Sequence, residues 1–110
     1  MATKTATNET EYGQFTRALA RAKRLTRALA TGASLNDVDG GSDDRSKALA
    51  AADRAEDLTR FVDGWADVAI LRGAIKSAVE FRAAEIRRLR DVEIERLTVV
   101  IRESRRAVAY

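Results

Sequence analysis

The side chains best equipped for chemistry in this chain fall into two groups. One is the acidic stretch from Asn36 to Asp44, where Asp37, Asp39, Asp43 and Asp44 surround Gly40 and Gly41. Carboxylates spaced around glycine invite a calcium reading, and a calcium loop of the EF-hand type has fixed requirements. It needs oxygen ligands at positions one, three and five, glycine at six and glutamate at twelve. Counted from Asp37, position five is Gly41, position six is Ser42 and position twelve is Ala48. The pattern fails, and the stretch reads as a turn that leads into a helix cap.

The other group is the basic run Arg17, Arg21, Lys23, Arg24 and Arg27, with no acid between Thr16 and Ala30. Arg17, Arg21 and Arg24 follow i, i+4, i+7 spacing and share one side of a helix. Such a stripe could track a phosphate backbone. It lacks the interleaved aromatics of a single-strand binder, and no DNA-binding motif surrounds it. A solvated face, or pairing with the acids Asp53, Glu56, Asp57, Asp63 and Asp67, is the favoured account of it. These residues are the candidate nucleic-acid contacts, and a membrane is disfavoured.

Catalysis has little to work with. The chain contains no histidine and no cysteine, which removes the commonest general base, the commonest transition-metal ligand and the thiolate nucleophile. No pair of carboxylates is marked by its context. No catalytic residue, cofactor site or metal site is assigned, and the expectation is a non-enzymatic protein.

The elements that carry these residues follow from composition. With 110 residues the chain is one domain with a modest core. It has no proline and much Ala, Leu and Arg, which favours helix throughout, and no stretch alternates with the period of a strand. The expected fold is all-α. A polar leader, 1–7, precedes a basic amphipathic helix, 8–31, with Asn8 and Glu11 as a capping box. Its apolar side collects Phe15, Ala18, Leu19, Ala22, Leu25 and Leu29, with Tyr12 at the edge. An acidic glycine-rich loop, 32–43, follows, with Ser42 or Asp43 as the next cap. From 44 to 110 the pattern predicts one long helix onto which the first helix folds back. Its first part carries Ala51, Ala55, Leu58, Val62, Trp65 and Ala69 on a stripe, flanked by Phe61 and Val68. A kink or a break at Gly73 is the alternative.

The best-defined part of that helix is Ile75 to Ala107, three 11-residue units opening at Ile75, Ile86 and Leu97. This period corresponds to about 3.67 residues per turn, so an apolar seam barely drifts around the helix. The seam comprises Phe61, Trp65, Val68, Ile75, Val79, Arg82, Ile86, Leu89, Glu93, Leu97, Val100 and Ile101. Phe81, Val92 and Val99 form a second line beside it. Arg82, Glu93 and Ser104 occupy equivalent places in successive units. An antiparallel partner crossing near Arg87–Arg88 would set Arg82 against Glu93. Alternatively, Arg82 snorkels to solvent while Glu93 pairs with Arg90 or Arg96.

A helix of that length cannot bury its own seam, so the seam is the expected oligomer interface. The charges run basic, acidic, basic along the chain, for a formal net of +3, so segments can neutralise one another within or between copies. The expected function is that of a structural assembly protein: a coiled-coil or bundle subunit that forms a homo-oligomer or packs in a larger particle. A connector, a scaffold or a virion component would fit. The alternatives are a nucleic-acid-associated protein using the first helix and a helical regulator that binds a protein partner. The amino terminus lacks the apolar stretch of a signal peptide, and Glu9 and Glu11 argue against a mitochondrial presequence. The expected location is the cytoplasm or the interior of a virion or particle.

Overall fold

Three helices make up the described chain: α1 (Ala2–Thr31), α2 (Ser42–Leu58) and α3 (Trp65–Ala109). The computed structural model describes the backbone of residues 2–109 and the side chains of residues 11–108. α2 runs antiparallel to both neighbours, so α1 and α3 point the same way along a rod 90 × 21 × 14 Å. The all-α expectation holds, with a long carboxy-terminal helix.

α1 begins ahead of the expected leader boundary, so Asn8 lies inside the helix rather than at its cap. The Asn8 side chain lies outside the described residues. The carboxy-terminal end is as expected: the helix stops at Thr31, and Gly32 N–H donates to the Ala28 carbonyl at 2.9 Å. The face that buries is the predicted one, with Phe15, Ala18, Ala22 and Leu29 buried and Leu19 and Leu25 packed against the core.

The predicted helix from 44 to 110 is two helices, and the break is not at Gly73. It falls at 59–64. There the Thr59 hydroxyl and N–H both reach the Glu56 carbonyl, at 2.5 and 3.0 Å, and Phe61 N–H reaches the Leu58 carbonyl at 3.0 Å. These tightened bonds satisfy the end of α2 and turn the chain back. Gly64 is the glycine that matters. A Cβ there would lie 2.1 Å from Cζ of Phe15, so α1 closes on the α2–α3 turn only because the site is bare. Gly73 meets nothing within 4 Å and sits inside α3.

Reversal at this turn solves a burial problem that a straight helix could not. Ala48, Ala51, Ala52, Ala55 and Leu58 of α2 can now face both α1 and the start of α3. Two layers result. One joins Phe15, Ala18, Ala55, Leu58 and Val68; the other joins Ala22, Ala48, Ala51, Ala52, Leu71 and Ile75. Alanine dominates the second layer, which lets the helix axes approach closely there and leaves little apolar area for each residue that is ordered.

Phe61 and Trp65, expected at the seam, are instead 62% exposed at the turn. The buried stripe of α3 is Val68, Leu71, Ile75, Ala78, Arg82 and Ile86. It starts one turn later than expected because the chain has only just reversed at Trp65.

Candidate functional site

Arg82 is the one buried charged residue among the described side chains, at 5% exposure. Its environment is assembled from three elements. Nε donates to Asp37 Oδ2 in the loop, and Nη1 donates to Asp44 Oδ2 of α2 at 2.8 Å. Nη1 also reaches the Leu29 carbonyl of α1 at 3.2 Å, and Nη2 reaches the Gly32 carbonyl at 3.4 Å. One guanidinium thus ties the α1 terminus, the loop and the α2 start to α3. Burial works against its charge, but Asp44 and Asp37 outweigh it and hold the group protonated. For Asp37, burial pushes the carboxyl up. The hydrogen bond and charge of Arg82, together with the Gly41 N–H, more than reverse this and leave it below the usual carboxylate range.

Gly41 makes this clamp possible in two ways. Its φ is +81°, in the left-handed region where a side chain is strained. A Cβ there would also stand 2.6 Å from Nη1 of Arg82. Its N–H donates to Oδ1 of Asp39 at 2.9 Å and of Asp37 at 3.2 Å. Gly41, not Ser42 or Asp43, occupies the cap of α2, with no side-chain cap bond.

The expected encounter of Arg82 with a second chain's Glu93 is therefore replaced by a bond network inside one chain. Asp37 and Asp44 are the functional partners that the turn reading missed. The signal was present: a cation within an apolar stripe needs carboxylates, and this loop holds a dense run of them. Glu93 pairs locally, with Arg96 at 2.5 and 3.1 Å, and this lowers its carboxyl pKa through the Arg96 hydrogen bond.

Beyond Leu89 the helix leaves the bundle. α1 and α2 cover the α3 stripe as far as Ile86, and every described side chain from Ile94 to Val108 is exposed. About 20 residues, roughly 30 Å of helix, extend alone. The same face that packs in the bundle continues along this overhang as Leu97, Val100 and Ile101, each about half exposed, with Ile94 at its edge and Val108 near the tip. Of the predicted seam, Val68, Ile75, Arg82 and Ile86 are buried within the chain. Val79 and Leu89 are half-buried, and Leu97, Val100 and Ile101 stand free. Phe81, Val92 and Val99 are exposed on another side.

The basic residues Arg17, Arg21, Lys23, Arg24 and Arg27 are all exposed. They do not pair with the acidic segment: Asp53 and Glu56 are taken by Arg72 of α3, both at 2.7 Å, which closes the α2–α3 turn. Arg17 and Arg21 instead border a groove of about 370 Å³ with Lys47 and Arg54 of α2, floored by Ala18, Ala50 and Ala51. Lys47 is paired with Asp43 at 3.2 Å, and Arg54 donates to Gln14 Oε1 at 3.2 Å.

Among the described residues, no group of carboxylates could hold a metal ion, and no helix is long and apolar enough to cross a membrane. The chain matches no family model, no curated protein and no solved structure.

Proposed function

We propose that this protein is a non-enzymatic helical assembly subunit whose bundle serves as a body and whose α3 overhang is the joining element. One observation carries the reading: the packing face of α3 runs on past its own partners with its branched residues uncovered. Apolar side chains repeated along one face of an isolated helix stay in water only at a cost, and a partner helix removes it. The Arg82 clamp complements this by setting the angle at which the overhang leaves the body. A homo-oligomer, or a place within a larger particle such as a connector, scaffold or virion component, is the role proposed.

Light scattering on the purified protein tests the reading. The expected mass at tens of micromolar is a multiple of the 12.1 kDa chain. Leu97→Asp combined with Ile101→Asp should return a monomer whose helix content and melting temperature stay near those of the dilute parent, because neither residue packs within the chain. A parent that is a discrete monomer at these concentrations ends the proposal.

The groove shared by Arg17, Arg21, Lys47 and Arg54 supports a second reading, attachment to the phosphates of nucleic acid. Replacing Arg17 and Arg21 with Gln should then weaken a binding that falls steeply with salt. No shift of duplex or single-stranded DNA by the parent at low salt excludes it.

A further inference from the structure

Resting on the assembly reading, we propose that the partner of the overhang is the overhang of a second copy, laid antiparallel with Leu97 opposite the partner's Val100. The register follows from what the helix carries. On the continuing face the layers would be Leu97 with Val100, Leu89 with Val108, and Glu93 with Ser104, each occurring twice about the twofold axis. Ile94 then lies beside the partner's Ile101 on one flank. One charge pair fits the same register: Arg96 lies on the same flank as the partner's Glu103 and about level with it. The interface is self-complementary, as a twofold contact must be.

Parallel pairing fails on two counts. It would set Glu93 against Glu93, two carboxylates within one seam. It would also bring both bodies to the same end, where α1 and α2 of each already occupy the face that pairing needs. In the antiparallel arrangement the overlap runs from Leu89 to Val108, and each body stands clear at its own end. The register also accounts for the edge of the body. The partner's Val108 arrives beside a groove of about 450 Å³ formed by Val38, Ile86, Arg87 and Arg90 among others, and Val38 is otherwise 92% exposed. The crossing near Arg87–Arg88 expected from sequence thus moves outward to Thr98–Val99.

The chain has no cysteine, so single labels report cleanly. A spin label at Ala84→Cys, on an exposed side of α3, should give an inter-copy distance of about 45 Å, from 1.5 Å of rise per residue in this register. Parallel copies would give less than about 20 Å at the same site, since equivalent residues then lie side by side. On mild oxidation, a mixture of Leu97→Cys and Val100→Cys chains should form the mixed disulfide in preference to either homodimer, since directly opposed Cβ atoms are required. A dimer mass with the long distance and the mixed disulfide supports the proposal. A dimer with the short distance, or with homotypic disulfides favoured, overturns the antiparallel register and leaves the assembly reading standing. A monomeric parent with no dipolar signal sinks both.

Discussion

Arg82→Met keeps an apolar stem of similar length and removes every donor of the clamp. Asp37, whose side chain is 6% exposed, would then face a buried site with no cation. Two carbonyls at the end of α1 would also lose their donor. Breaking a buried pair costs about 3–5 kcal/mol, because the survivor is left uncompensated. Some of that is recovered here, since the Asp44 side chain is 38% exposed and can rehydrate. A loss of roughly 2–4 kcal/mol remains. For a domain of about this size each kcal/mol moves Tm by about 4–8 °C, so a fall of about 8–32 °C is expected. Far-UV circular dichroism at neutral pH and low protein concentration measures it. Arg72→Met is the internal control. That guanidinium is one-third exposed and bridges Asp53 and Glu56 at the surface, so its removal should cost less than about 1 kcal/mol. A Tm for Arg82→Met within about 3 °C of the parent, or a larger effect from Arg72→Met, would refute the clamp as the joint of the bundle.

Gly73→Ala should raise stability by about 0.5–1 kcal/mol, since this glycine sits in open helix with no neighbour to meet; a loss on thermal melting would place a packing contact there. Gly64→Ala should lower stability by roughly 1–3 kcal/mol, because the new methyl displaces the Phe15 ring; an unchanged Tm would mean that α1 does not close on the turn. Trp65→Ala, at an exposed site, should shift the stability of dilute protein by no more than about 0.5 kcal/mol, whereas a loss several times larger would put Trp65 back in a core. Acid completes the set. The folded Asp37 carboxyl lies below its ordinary value, so its contribution is complete above about pH 3.9 and is lost as pH falls through the lowered folded value. In Arg82→Met burial still pushes that carboxyl up while the hydrogen bond and charge of Arg82 are gone, so its pKa rises relative to the parent's and the Tm gap between parent and variant should narrow as pH falls toward 3. A constant gap across that range would show that Asp37 does not sense Arg82.

Much of this fold was legible before any coordinates. The absence of proline, the alanine content and the 3-4 spacings determine helix, and they determine which face of α1 turns inward, because periodicity is a local property of the backbone. The end of α1 at Gly32 is equally local. So is the 11-residue repeat that keeps one face of α3 apolar far beyond the body. What periodicity cannot do is choose between two glycines in similar helical sequence. Gly64 and Gly73 differ in what lies across from them, and only tertiary packing brings the Phe15 ring onto one and leaves the other bare. The same holds for Arg82. Its place in an apolar stripe could be read along the chain, but its partners lie 45 and 38 positions away. Whether such a charge faces a neighbouring chain or its own loop depends on where α2 turns back. Once the chain reverses at 59–64, Asp37 and Asp44 come alongside α3 and the clamp closes within a single chain.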